Sequence, residues 1–351
     1  MKKVLYAYFG KLGLFNDDIP GHSFYQVGLL DAISERENDC TFDFYSYLPN
    51  VHGQDFTFPS DSHGELSLTV ANRLINEYCP TFEEVVNRIM AKEYSAIYLK
   101  ARFRNLSTLA KGLDDARQFE ALIKIGKSIG VPVYILDTDL SLPKSFLDSQ
   151  EMYGFTRIIP SIDMPGIGSA FAKMCLELNK EKILTAKEKF SPSVIYYGNL
   201  DFTNYKAGHH KNPIALELLT ELADHTMFNG DKFEVFHAGK PVNGVNATLQ
   251  IPRQDRHQIW AAFWSSIASI NISKDLYVET GFLPARVYEA AMFGVVTVSF
   301  SDKSLHPAMG FNTVNEAIEQ LTFLAEMSPA DYFNLYSSQL DKIVNRGKLG
   351  E

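Results

Sequence analysis

Short apolar runs bounded by turn residues recur along this chain between segments of helical spacing, and that alternation limits its fold more than any other feature. Val295-Val-Thr-Val-Ser-Phe300 is one such run, and residues 285–293 just before it carry the spacing of a helix. Alternation of this kind argues for α/β architecture with largely parallel sheets. In the first half, strands are expected at 3–9, 41–47, 96–100, 131–136 and 157–160, with helices at 24–33, 66–78, 81–90 and 114–129. The second half opens on a strand at 193–197 and continues through 233–237, 268–272 and 295–300, separated by helices at 213–223, 256–265 and 285–293. Two Rossmann-like halves follow. In open sheets of this class ligands bind beyond the carboxyl ends of the strands, and two such domains bind them in the cleft between.

The segment Gly281-Phe-Leu-Pro284-Ala-Arg286-Val-Tyr-Glu289 stands directly before a strand. Pro284 suits a first helical turn, where its missing N–H costs nothing, so Arg286 and Glu289 fall one turn apart near a helix N-terminus. A guanidinium and free backbone N–H groups bind phosphate, and a carboxylate three residues on accepts hydrogen bonds from a ribose diol. The set suits a nucleoside diphosphate. The alternative is a surface ion pair opening an ordinary helix.

A length of 351 residues exceeds what one core fills, so two domains are expected. Residues 1–175 form the first and 191–325 the second, with 176–190 as a linker and 326–351 as a helical tail packing back on the first domain. Apolar content of 46% against 21% charge excludes a disordered chain. No segment has the apolar length to cross a bilayer, so no membrane partner is expected, and the N-terminus reads as a first strand rather than a signal peptide. Cys40, Cys79 and Cys175 are widely spaced without metal-ligand spacing, which points to reduced thiols of a cytoplasmic protein with no metal site. The net charge of −9 gives no long-range attraction to a polyanion, so any nucleic-acid contact must come from a local basic surface.

Asp137-Thr138-Asp139 follows an apolar strand, which sets two carboxylates at its carboxyl end. One of them is placed to take the proton from an acceptor hydroxyl as it attacks a sugar carbon; helix capping and cation binding are the other readings. His237-Ala-Gly239-Lys240 also follows a strand and offers backbone N–H groups to phosphate, or is a simple turn. Trp260 and Trp264, at helical spacing, belong to a core sooner than to a base-stacking platform. Residues 51–65, rich in Gly, His, Asp and Ser, read as a loop, a solvated insertion sooner than one that orders over ligand.

In order along the chain, Thr138-Asp139-Leu140-Ser-Leu-Pro143, Val194-Ile-Tyr-Tyr-Gly198-Asn199, Ile251-Pro252, Asp275 and Arg286-Val-Tyr-Glu289 resemble segments of the phage DNA β-glucosyltransferases. These are two-domain GT-B enzymes that move glucose from UDP-glucose to 5-hydroxymethylcytosine in duplex DNA. The resemblance is collinear over most of the chain at low identity. It implies a GT-B fold, Asp139 as the catalytic base ahead of Asp137, and Gly198 with Asn199 at the turn opening the nucleotide domain. It further implies Ile251 at uracil, Asp275 near the sugar, Arg286 on the diphosphate and Glu289 on the ribose.

The chain also departs from that pattern. Where the family sets two arginines on the diphosphate, this sequence has Asp201, then Lys206, His209, His210 and Lys211, so Lys206 is carried over as a phosphate contact without the bidentate fork. The family's N-terminal glutamate has no equivalent in Pro20-Gly-His22-Ser23-Phe-Tyr25, leaving His22, Ser23 and Tyr25 to face sugar and acceptor. Lys100-Ala-Arg102-Phe103-Arg104 corresponds to a loop beside the flipped base, with cations for phosphates and an aromatic for the vacated stack; solvated loop charges are the alternative.

The function implied is inverting transfer of a sugar, glucose by default and arabinose as competitor, from a UDP-sugar to 5-hydroxymethylcytosine in duplex DNA, by a monomer. Mg²⁺ or Mn²⁺ is a candidate helper of UDP release. A saccharide or small-molecule acceptor, or an inactive nucleotide-sugar binder, are the alternatives.

Overall fold

The computed structural model describes residues 1–9, 22–46, 62–79, 81–101, 114–138, 140, 142, 144–186, 192–198, 212–227, 229–239, 249–252, 256–302 and 304–346. These divide into two compact units, the first holding the described residues of 1–9 and 26–168, the second those of 22–25 and 169–346.

The first unit carries six strands, β1 (Lys2–Phe9), β2 (Cys40–Ser46), β3 (Ile75–Tyr78), β4 (Ala96–Ala101), β5 (Val133–Leu136) and β6 (Thr156–Ile158). They form one parallel sheet in the order β3-β2-β1-β4-β5-β6. Val4, Leu5, Tyr6 and Ala7 of β1 are fully buried, as a central strand covered on both faces requires. Helix Phe82–Met90 is capped by Thr81, whose hydroxyl accepts from Glu84 N–H at 3.1 Å.

The second unit repeats the plan with β7 (Ser193–Tyr197), β8 (Glu234–Ala238), β9 (Leu249–Ile251), β10 (Ala268–Asn271), β11 (Val296–Phe300) and β12 (Gly310–Phe311). Its order is β12-β11-β10-β7-β8-β9, again all parallel. Counted from its own first strand this is the same winding as in the first unit. Each sheet therefore has a switch point beside its first strand, between β1 and β4 in one and between β7 and β10 in the other. The α/β architecture read from the alternation of runs is the architecture observed.

Three expectations differ from the structure. The helix expected over 66–78 is helix Ser62–Leu74 followed by β3, because the last four residues pair with β2 (Phe42 with Ile75, Phe44 with Tyr78). A partner strand overrides helical spacing where it completes a sheet edge. The expected linker 176–190 is, through Ala186, part of helix Ser169–Ala186 of the second unit. Asn179 Nδ2 on that helix donates to the Met292 carbonyl at 2.8 Å and Lys182 Nζ to the Phe293 carbonyl at 3.1 Å, satisfying the end of helix Ala285–Met292. The segment is a wall of the second unit, to which the chain crosses at 168/169.

The expected tail contains helix Pro329–Asn345, which packs on helix Ser169–Ala186 and on β11 within the second unit. A short neighbour strand explains its place. β12 pairs with Ser299 and Phe300, leaving Thr297 without a strand on that side. Gln339 supplies one in miniature: its Oε1 accepts from Thr297 N–H and its Nε2 donates to Thr297 C=O, each at 2.9 Å. The Tyr332 hydroxyl accepts from Val296 N–H at 3.2 Å and donates to the Ile267 carbonyl at 2.6 Å.

Candidate functional site

The switch point of the second sheet is built by residues that follow β7, β8 and β10. β10 ends at Asn271, and the chain turns through helix Asp275–Thr280 and helix Ala285–Met292. Gly281 makes the turn between the helices possible: at φ 72° it is left-handed, and its N–H reaches the Tyr277 and Val278 carbonyls. Pro284 stands one position earlier than expected, as the N-cap residue at φ −72° and ψ 155°. Arg286 is then the second helical residue and folds back on β10. Its Nε donates to Asn271 Oδ1 and its Nη2 to the Ile272 carbonyl, both at 2.9 Å. Among the described residues its Nη1 meets no acceptor.

Asn271 is itself buried and fixed, accepting from Ser273 Oγ at 2.9 Å and donating to Ser299 Oγ at 3.2 Å. The guanidinium is thus held on two edges at the end of a central strand. Its charge reaches the Tyr196 phenol of β7, where burial raises the pKa and Arg286 pulls the other way. Sequence reading chose Arg286 but missed Asn271, whose only signal is a polar residue closing an apolar strand.

The ends of β7, β8 and β9 form a second, tightly bonded group. His237, fully buried, sets Nδ1 2.8 Å from Gln250 Oε1 and Nε2 3.0 Å from the Gly198 carbonyl oxygen. Gly198 N–H donates to the Ala238 carbonyl at 3.0 Å, and Gly239 N–H to the Ile251 carbonyl at 3.3 Å. The phosphate role expected for the Gly239 amide therefore meets a competing internal acceptor. Ile251 is fully buried on β9, with Pro252 exposed after it.

Other expected residues fall in several places. Glu289 is buried at 1% exposure, three residues beyond Arg286, and Asp275 opens its own short helix. Tyr25 is buried and stacks on Tyr288, ring centroids 5.0 Å apart, so its face is covered rather than open to a sugar. His22 and Ser23 begin helix His22–Arg36. Asn199 and Lys206 lie outside the described residues, as do Arg102, Phe103, Arg104 and Asp139.

Lys100 requires a correction. It is 4% exposed, the penultimate residue of central strand β4, with Nζ 5.7 Å over the ring of Tyr8 on neighbouring β1. It is not a surface cation for DNA phosphates. Asp137, at the end of β5, is 2% exposed and takes both Nε and Nη2 of Arg157 on one oxygen, at 3.0 and 2.6 Å. That commits it to holding β6. Leu140, next to Asp139, has the left-handed φ of 49°, an uncommon state for such a side chain and one that concentrates where function constrains the backbone.

Two further features lie away from these strand ends. Asp43, Glu77 and Cys79 have ligand atoms close enough for a metal, but Arg88 pairs with both carboxylates and Lys3, Tyr94 and Asn76 also engage Asp43. Burial pushes the Cys79 thiol up to about 11, and the cluster is a neutralised structural network. An open pocket of about 510 Å³ lies between helix Asn212–Asp224 and helix Val314–Glu326, and one of about 450 Å³ lies between residues 225–227 and the same second helix; His225, Ile318 and Glu319 line both. Among the described residues no helix is long and apolar enough to cross a membrane. Trp260 is core, and Trp264, 37% exposed, carries the Lys182 ammonium 3.9 Å over its ring.

No family model and no curated protein matches the sequence. Among solved structures the chain is similar to a trehalose-6-phosphate synthase studied for glycosyltransfer with retention, at TM-score 0.43 and 10% identity over 97% of this chain and 95% of that one. It is also similar to the ADP-heptose LPS heptosyltransferase II of E. coli (TM-score 0.37, 12% identity, 93% and 98%) and to a ugt transferase of Siraitia grosvenorii in complex with UDP (0.36, 11%, 97% and 94%).

Proposed function

We propose that this protein is a GT-B glycosyltransferase that binds a UDP-sugar on its second unit, at the switch point between β7 and β10. The observation that carries the reading is the fixed guanidinium of Arg286, held by Asn271 and Ile272 where a Rossmann-ordered sheet receives nucleotides. A preorganised cation there stabilises charge as it develops on the departing diphosphate, without reorganising at the moment of reaction. Glu289 and Ile251 serve ribose and uracil in this reading, with Asn199 and Lys206 beside the phosphates. Asp139 takes the acceptor proton, and attack on the anomeric carbon inverts it. Mg²⁺ or Mn²⁺ bound to the diphosphate would supply further charge stabilisation to the departing UDP.

The acceptor follows from the resemblance to the phage enzymes: 5-hydroxymethylcytosine in duplex DNA, with glucose or arabinose as the sugar. The test is intact-mass measurement of hydroxymethylcytosine duplex after incubation with UDP-glucose and, separately, UDP-arabinose. A gain of one hexose or pentose supports the reading and names the sugar class; no gain with either donor removes the DNA acceptor. The second reading, a saccharide or small-molecule acceptor, draws on the net charge of −9 and on the burial of Lys100. Turnover in a UDP-release screen with such acceptors, and none with DNA, would favour it.

A further inference from the structure

Helix Val314–Glu326 packs one face and leaves another uncovered. Val314, Ala317, Leu321 and Leu324 are buried, whereas Ile318 is half-buried and Phe323 keeps 56% of its surface exposed. Both uncovered side chains border a hollow. Ile318 lines the two pockets on this helix, and Phe323 lines the second of them together with the buried Met227. Because Ile318, Glu319 and His225 belong to both, the pockets join into one open trough. It follows the helix from Asn315 to Glu326, about 16 Å at the helical rise.

The two ends of the trough differ in character. Phe323, Met227 and Ile318 make one end apolar, with Glu326 at its margin. The exposed carboxylates of Glu221, Asp224 and Glu319 make the other end acidic. Helix Asn212–Asp224 also terminates here with no basic residue in its last turn, so its C-terminal carbonyls add to the negative potential. Lys232, which bridges Thr226 across the turn, lines neither pocket.

That charge selects the occupant. A phosphate backbone, or a second copy of a chain with net charge −9, would set like charge against four carboxylates. A small cation in so open a trough would stay largely in water. A helix with apolar side chains three and four residues apart, flanked by Lys or Arg, covers the apolar end and neutralises the acidic one together. Topology leaves room for it. Helix Asn212–Asp224 carries the chain from the carboxyl end of β7 back to the start of β8, so residues 225–227 stand toward the ends at which these strands begin. Gly198, His237 and Asn271 mark the opposite ends of β7, β8 and β10.

We propose that this trough is a docking surface for a basic amphipathic helix of a partner protein, which seats an apolar side chain against Phe323, Ile318 and Met227 and sets Lys or Arg on Glu221, Asp224 and Glu319. The proposal is independent of the donor-binding reading.

The test is fluorescence anisotropy of labelled synthetic peptides titrated with the whole protein. The probes are a short helical peptide of Leu, Trp and Lys, the same peptide with Glu in place of Lys, and oligolysine. The first is expected to bind saturably and to weaken with added salt, and the other two to bind at least about tenfold more weakly. Phe323→Ser and Glu319→Lys are each expected to weaken the first peptide about tenfold. Both side chains are exposed, so the circular dichroism spectrum and melting temperature should stay as in the wild type. Absence of saturable binding, or unchanged affinity in both variants, overturns the docking site. Equal binding of oligolysine overturns the apolar anchor. A wild-type dimer in sedimentation equilibrium that dissociates in Phe323→Ser would assign the trough to a second copy of the chain and overturn the basic partner.

Discussion

Arg286 donates through Nε to Asn271 Oδ1 at 2.9 Å, joining the second residue of a helix to the last residue of β10, fifteen positions earlier in the chain. With Nη2 on the Ile272 carbonyl, the guanidinium plane is set before any ligand arrives. Preorganisation of this kind distinguishes a binding cation from a surface arginine.

Arg286→Ala should lower turnover by about two orders of magnitude while the protein remains folded. Arg286→Lys should not restore it, because an ammonium cannot bond Asn271 and Ile272 in a fork and still face phosphate. Asn271→Ala should give an intermediate loss by releasing the guanidinium. Steady-state UDP release reads all three, and normal turnover in Arg286→Ala would sink the assignment.

The two aspartates after β5 should separate cleanly. Asp137→Ala leaves Arg157 without its buried partner and should destabilise by about 3 kcal/mol in urea unfolding. Asp139→Asn should instead abolish transfer with unfolding unchanged. The reverse pattern would make Asp137 the base.

Gln339→Leu should destabilise by about 3 kcal/mol, since it strands both the N–H and the C=O of Thr297 in the interior. Hydrogen exchange at Thr297 should rise with it. An unchanged unfolding midpoint would mean that the helix Pro329–Asn345 does not complete the edge of β11.

Lys182 carries a pH dependence of known sign. Burial brings its pKa down to about 7, against about 10.5 in the unfolded chain. Between those values the unfolded chain holds the extra proton, so this group's contribution to stability rises as pH rises through the window and is at its worst below it. The Trp264 ring and the Phe293 carbonyl offset part of the effect. Lys182→Met should therefore gain most at pH 6–7 and lose that advantage toward pH 10, by about 2 kcal/mol across the range. An advantage independent of pH would contradict the buried ammonium.

How much of this could be read from residues alone depended on range. Helix 114–129 and strand 193–197 match their observed bounds because their signals are local: periodicity and flanking turns. β3 and the two-residue β12 were missed because each exists only by pairing with a strand far away in sequence. Arg286 was found through its segment. Asn271, Gln250 and the ring of His237 were not, since what makes each notable is the partner it meets.

By itself the sequence determined the α/β class, two halves of similar plan and the identity of the charged groups at the strand ends, because hydrophobic spacing and turn residues act over a few positions. Tertiary structure decided which charges are available. Lys100, Asp137 and Arg286 are equally ionic on paper; packing buried the first against Tyr8, bound the second to Arg157 and set the third on Asn271 at a switch point. Burial and pairing depend on residues brought together from distant parts of the chain, and no local pattern records them.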